Sequence, residues 1–271
     1  MTKLSELLLV SDIDGTLMNF PAPIPARNLE ALRRFTAAGG RFAVATGRSA
    51  ASARPYVEQL SVNAPCILYN GCTIYDFFSE KVLYTRYLPE SYPQYVRVLM
   101  REFPKAGLAL MRERKIIALS GLSYVREYLG RENMPIIEQP LSEARGPFLK
   151  AILAMPPEQQ IAKAEAFGNA QGWEEVRFFR SGRPFVEMLP AATGKGSALT
   201  ELARILDIPP ARTVAMGDYY NDIGMLKAAG FAATTVEAPD AVRYLCRGIY
   251  GRCDDGALAD LVEDLERRCP A

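Results

Sequence analysis

An apolar run, Leu7 to Val10, leads directly into Asp12-Ile13-Asp14-Gly15-Thr16. Such a run fits a strand buried on both faces, and strands of that kind belong to parallel sheets covered by helices. In those sheets ligands bind beyond the carboxyl ends of the strands. Here that end carries two carboxylates two residues apart, the layout of a carboxylate nucleophile with its own acid/base partner. Gly15 lets the chain leave the strand without steric cost.

The pattern that follows supports the same sheet. A helix opened by Pro25 and closed by Gly39-Gly40 has Leu29, Leu32 and Phe35 on its apolar face. A strand over Phe42 to Ala45, a helix over Ser49 to Leu60 and a third strand over Cys66 to Tyr69 complete a βαβαβ order, so a parallel sheet is expected. The grammar returns near the C-terminus: helix Lys195 to Leu206, strand Thr213 to Met216, helix Ile223 to Ala229, strand Phe231 to Val236 and helix Ala257 to Arg267. Between about Val82 and Val186 the pattern changes. Strand-like runs at Leu108 to Met111, Lys115 to Leu119, Leu149 to Met155 and Val176 to Arg180 are separated by helices near Pro93 to Phe103 and Pro157 to Ala170. The expected organisation is therefore a Rossmann-like α/β core from residues 1–82 and 187–271, with a second α/β domain, residues 83–186, inserted into it.

Composition narrows the chemistry. The chain has 271 residues, enough for one domain with an insertion. Its 32 basic and 31 acidic residues give a net charge of +1, which leaves no electrostatic footprint for nucleic acid or an anionic membrane. There is no histidine, which removes a Ser-His triad, a histidine base, a phosphohistidine and His-ligated zinc. Five scattered cysteines without metal-type spacing read as free thiols of a reducing cytoplasm. No apolar stretch is long enough to span a membrane, and Met1 to Val10 does not read as a signal peptide.

Three further segments carry polar residues at strand ends or helix starts. Thr46-Gly47-Arg48 offers a hydroxyl and a glycine amide to an anion, although a threonine there also reads as a helix cap. Gly194-Lys195-Gly196 places an ammonium and helix N-terminal amides together; alone, it reads equally as a surface lysine in a Gly-rich turn. Gly217-Asp218-Tyr219-Tyr220-Asn221-Asp222 has two acids four residues apart, hard oxygen ligands that suit Mg²⁺. Asp222 by itself also reads as a helix cap.

Taken together, Asp12, Thr46, Lys195 and Asp218 resemble, in order and setting, the four motifs of the haloacid dehalogenase (HAD) superfamily of phosphotransferases. The strings A-T-G-R, Y-N-G and G-K-G-S-A-L, with an insert between the second and third motifs, look like its Cof-type, C2B-capped branch (subfamily IIB). The resemblance implies Asp12 as nucleophile forming an aspartyl phosphate, and Asp14 as general acid then base. It implies Mg²⁺ held by Asp12, the Asp14 carbonyl and Asp218. It also implies phosphate binding by Ile13, Thr46, Gly47, Lys195 and Asn221, with Asp222 orienting Lys195 or a metal-bound water. Where relatives often have Asn-Ala after the strand ending at Val236, this chain has Glu237-Ala238, and no role is assigned there.

The insert is expected to act as a cap that selects the leaving group. Arg112, Arg114, Arg180 and Arg183 are candidates for a second anionic group, Met111, Tyr124 and Phe179 for an apolar or aromatic one, and Trp173 is read as packing. The expected activity is a Mg²⁺-dependent phosphatase of small phosphorylated metabolites, such as sugar phosphates or phosphorylated cofactors, in a cytoplasmic monomer or weak homodimer. A phosphotransferase or mutase, and a non-catalytic phosphometabolite sensor, are the alternatives.

Overall fold

The structure, a computed structural model, describes residues 3–154, 158–182 and 185–269. In chain order the elements are β1 (Leu8–Ser11), α1 (Ala26–Ala37), β2 (Arg41–Val44), α2 (Ala50–Val57), β3 (Cys66–Leu68), β4 (Thr73–Asp76) and β5 (Lys81–Thr85). There follow α3 (Tyr92–Glu102), β6 (Gly107–Met111), β7 (Ile116–Ser120), α4 (Leu122–Leu129), β8 (Ile136–Glu138), β9 (Lys150–Ala154), α5 (Glu158–Ala170), β10 (Val176–Gly182) and β11 (Phe185–Pro190). The chain ends with α6 (Lys195–Ile205), β12 (Thr213–Met216), α7 (Ile223–Ala228), β13 (Phe231–Thr235), α8 (Asp240–Arg243), β14 (Gly248–Tyr250) and α9 (Ala257–Arg268). Two compact units result. The first runs to Gly47, takes Ala53–Leu83 and resumes at Gly194; the second comprises Arg48–Ser52 and Tyr84–Thr193.

The first unit is built on a five-stranded sheet in the order β14-β13-β12-β1-β2, with every neighbouring pair parallel. Leu8, Leu9 and Val10 are each fully buried. Successive strand side chains point to opposite faces, so both faces of β1 are covered, as the unbroken apolar run requires. The third expected strand behaves differently from its neighbours. It touches β2 through one parallel bridge, Ala45 to Ile67, and then pairs antiparallel with β4 in a ribbon ordered β3-β4-β5. The reason is local: the chain reverses at Tyr69-Asn70-Gly71, where all three residues have positive φ, so β3 is too short to extend the parallel ladder.

The second unit has a six-stranded sheet in the order β10-β11-β9-β6-β7-β8, antiparallel except for the β7–β8 pair. Leu108, Leu110, Leu153, Phe178, Val186 and Met188 form one of its faces, packed with Val96 and Leu99 of α3 and Ile161 and Ala164 of α5. The opposite face carries a buried ion pair, Lys150 Nζ to Glu187 Oε1 at 2.9 Å, with the Ser181 hydroxyl donating to the same Glu187 oxygen at 2.7 Å.

Asn28, fully buried on α1, ties the first unit together. Its Nδ2 donates to the Leu17 carbonyl at 3.1 Å, and its Oδ1 accepts from the Ala259 amide in the first turn of α9 at 2.9 Å. This fixes the loop that follows Asp12-Ile13-Asp14 against a helix from the far end of the chain. Asn28→Ala strips both bonds from a buried site, and stability measured by urea unfolding should fall by about 1–3 kcal/mol.

Candidate active site

Loops that follow β1, β2 and β12, and the first turn of α6, bring the chemically active residues of the first unit together. The Asp12 amide donates to the Met216 carbonyl at 2.9 Å, which continues the β1–β12 ladder by one bond and sets the two loops side by side. Beyond it the Ile13 carbonyl accepts from the Leu17 and Met18 amides at 2.9 and 3.1 Å, closing a tight turn on a fully buried side chain. Asp14 lies exposed on that turn. Gly15, at φ +92°, backs directly onto Asp218: a Cβ there would stand 2.4 Å from Asp218 Oδ2, so no other residue fits.

Lys195 opens α6 and is 1% exposed. Its Nζ lies 2.8 Å from Asp12 Oδ1 and 2.7 Å from Asp222 Oδ1. The other Asp222 oxygen accepts from the Asp218 and Tyr219 amides, both at 3.0 Å. Asp222 is thereby saturated and holds both the ammonium and the fourth-motif loop in place. Thr16 Oγ1 donates to Asp218 Oδ1 at 2.6 Å. Asp12, Asp218 and Asp222 each present a carboxylate oxygen within 4.8 Å of the others.

Three carboxylates thus surround one ammonium in a poorly solvated space. Burial pushes the Asp12 carboxyl well above its ordinary range; Lys195 opposes this, while Asp222 and Asp218 add to it. Burial, reinforced by Asp222, pushes Asp218 up to about 7 against the pull of Thr16 and Lys195. Burial alone would depress Lys195, but Asp12 and Asp222 outweigh it and keep the ammonium charged. The cluster is short of positive charge. Its donors are hard oxygens, the kind that Mg²⁺ takes, so the residues present fit a divalent cation between Asp12 and Asp218.

On the side of β2, Thr46 is 1% exposed, with its amide donating to the Ile67 carbonyl and its carbonyl accepting from the Asn70 amide, both at 2.9 Å. Gly47 follows it. Asn221 sends its Nδ2 to Asn70 Oδ1 at 3.1 Å. Asp12, Ile13, Asp14, Thr46, Gly47, Lys195, Asp218, Asn221 and Asp222 therefore belong to a single unit. Two participants carried no assignment from sequence, Thr16 and Asn70. Both lay in strings already noticed, D-I-D-G-T and Y-N-G, but a hydroxyl two residues past a carboxylate and an Asn-Gly turn have common local uses, and only the distant partners reveal theirs.

The arginines of the insert are spread out. Arg112 follows β6, with its guanidinium 5.7 Å from the Phe148 ring centroid, and Arg114 is exposed in the turn before β7. Arg180 pairs with Val186 in register, which puts it on the helix-covered face, where its Nε lies 2.8 Å from Glu165 Oε2 of α5. Arg183 lies outside the described residues. Met111 and Phe179 are buried, and Tyr124 stacks on Tyr128 of the same helix. Trp173 packs between Tyr95 and Phe178, as expected of a structural residue. All five cysteines are free, and among the described residues no helix is long and apolar enough to cross a membrane.

Comparison with known proteins agrees with this geometry. A haloacid dehalogenase-like hydrolase family model matches residues 9–262. A pyridoxal phosphate phosphatase of Escherichia coli is 25% identical over 269 residues, covering 94% of this chain and 97% of that protein. A 5-amino-6-(5-phospho-D-ribitylamino)uracil phosphatase of Bacillus subtilis is 25% identical over 279 residues, covering 94% and 96%. The crystal structure of a haloacid dehalogenase-like hydrolase from Bacteroides thetaiotaomicron superposes with a TM-score of 0.82 at 25% identity, over 98% of this chain and 100% of that one. With its parallel sheet, its cap-like second sheet and its carboxylate cluster, the chain belongs to the haloacid dehalogenase-like hydrolase family, as a phosphatase-type enzyme of its Cof-type branch.

Proposed function

We propose that the chain is a Mg²⁺-dependent phosphomonoesterase that hydrolyses small phosphorylated metabolites through an aspartyl phosphate on Asp12. The observation that carries this reading is the bond from Lys195 to both Asp12 and Asp222 beside Asp218. A nucleophilic carboxylate must stay ionised next to an anionic substrate, and the ammonium supplies part of what that demands.

Lys195 holds the Asp12 carboxylate at Oδ1, and that carboxylate attacks phosphorus in line. As the Asp12–phosphorus bond forms and the ester bond breaks, Asp14 delivers a proton to the leaving oxygen. Its exposure on the turn allows exchange with solvent and approach to a bound ester. In the second half Asp14 takes a proton from water, the hydroxide attacks phosphorus, and Asp12 is released with inorganic phosphate. Thr46, the Gly47 and Ile13 amides, Lys195 and Asn221 would hold the equatorial oxygens, over which charge spreads in a loose transition state. Mg²⁺, held by the Asp12 and Asp218 carboxylates and the Asp14 carbonyl, would neutralise charge so that one anion can approach another.

The relatives that act on pyridoxal phosphate and on a phosphoribityl pyrimidine support a phosphorylated cofactor or sugar phosphate as substrate. In this reading residues 83–186 form the cap that selects it, and Arg112, Arg114 and Arg183 stay the candidates for a second anionic group. Arg180 needs release from Glu165 to serve in that way.

Two experiments test the chemistry with an aryl phosphate and a panel of phosphorylated metabolites. Asp12→Asn should lower kcat by roughly 10³-fold or more, and EDTA should stop phosphate release until Mg²⁺ is returned; turnover that survives either treatment sinks the mechanism. Thr16→Val removes the hydroxyl that orients Asp218. It should weaken Mg²⁺ activation by about 10- to 100-fold while substrate KM at saturating metal changes little.

A further inference from the structure

The Tyr69-Asn70-Gly71 turn sits where three of the site's segments meet. Tyr69 and Asn70 have φ of 53° and 55°, and Gly71 has φ of +95°. Consecutive left-handed residues are unfavourable for all but glycine, with asparagine the best tolerated of the rest, and such outliers persist only when their surroundings hold them. Here the surroundings are the phosphate loops. The Asn70 amide donates to the Thr46 carbonyl. Asn70 Oδ1 accepts from Asn221 Nδ2 at 3.1 Å, and a Cβ on Gly47 would stand 2.9 Å from Asn70 Nδ2. A Cβ on Gly71 would lie 2.2 Å from the Gly194 carbonyl, so the same turn also abuts the residue that precedes Lys195.

From this we infer that Asn70 is a positioning residue for phosphoryl transfer: its carboxamide, 1% exposed, fixes the Thr46-Gly47 loop and the Asn221 side chain at one separation. The inference rests on the phosphatase reading above and deepens it. Asparagine suits the position for two reasons that act together. It accepts the left-handed backbone, and its side chain offers an acceptor to Asn221 and a short, uncharged amide against Gly47. Asn221 Oδ1 is buried without a hydrogen-bond partner among the described residues, so Asn221 depends on Asn70 for its orientation. A displacement of the Thr46-Gly47 loop relative to Asn221 by about 1 Å is enough to lose on the order of 10²-fold in rate.

The test is a double-mutant cycle on the full chain with Asn70→Ala and Asn221→Ala, reading kcat/KM for an aryl phosphate, calorimetric affinity for orthovanadate with Mg²⁺, and thermal midpoint. Asn70→Ala should lower kcat/KM about 10- to 100-fold, mostly in kcat, and weaken vanadate by a similar factor. The double variant should lose little more than the worse single one, since the two residues act as a unit. Asn70→Asp keeps the left-handed tolerance and the acceptor for Asn221 but sets a negative charge beside Gly47. It should fold like the parent and still bind vanadate at least 10-fold more weakly. Additive losses in the cycle, or an Asn70→Ala protein that binds vanadate and turns over like the parent, overturn the inference and leave the phosphatase reading intact. A parent chain that neither releases phosphate nor binds vanadate overturns both.

Discussion

One fully buried ammonium holds the site together. Lys195 bridges Asp12, which follows the central strand β1, and Asp222, which caps the loop after β12, so a single cation joins the two loops beside the Thr16–Asp218 bond. Removing it would leave two buried carboxylates facing each other, which costs far more than the pair contributes when complete. The surrounding geometry serves to put that ammonium in place. Gly71 lets the turn after β3 touch Gly194, and Gly196 sits so close to Gly224 that a Cβ on it would fall 2.4 Å from the Gly224 carbonyl. Helix α6 is therefore located by backbone contact on two sides, and its first residue has little freedom in where it points.

The same arrangement explains why the cluster needs further positive charge. Asp222 spends one oxygen on Lys195 and the other on two amides. Asp12 has one oxygen on Lys195, and Asp218 one on Thr16. The oxygens left over belong to Asp12 and Asp218, two carboxylates that burial would otherwise drive toward protonation. A divalent cation held between them would favour their charged forms, and the hard oxygen donors suit such an ion.

Much of the core was legible because burial on both faces leaves an unbroken apolar trace. β1, β2, β12, α6 and α9 fall within a residue or two of where the pattern put them, and polar residues at their ends stood out against it. What stayed hidden had a mixed or short trace. β5 has exposed residues at Lys81, Val82 and Leu83, β14 is three residues long, and β11 has no counterpart among the expected strands. A parallel third strand is expected because Cys66 to Tyr69 looks like its predecessors; Asn70-Gly71 marks where it ends but not that the chain folds back there as an antiparallel ribbon. The roles of Asn70 and Thr16 were invisible for a different reason. Each depends on a partner more than a hundred residues away, and one sequence carries no record of such pairing.

That separation also governs when the protein can become an enzyme. β1 lies between β2, which follows it closely, and β12, and the bond from Thr16 to Asp218 spans 202 residues. At ribosomal rates of about 5–20 residues per second, β1 and Asp12 wait ~10–40 s for their partner strand. During that interval one long edge of β1, apolar and unpaired, is open to any other strand. The main segment of the second unit, Tyr84–Thr193, is synthesised within the same interval, before α6. A nascent chain that holds Asp12 but has not reached α6 lacks the ammonium that the folded site sets against that carboxylate.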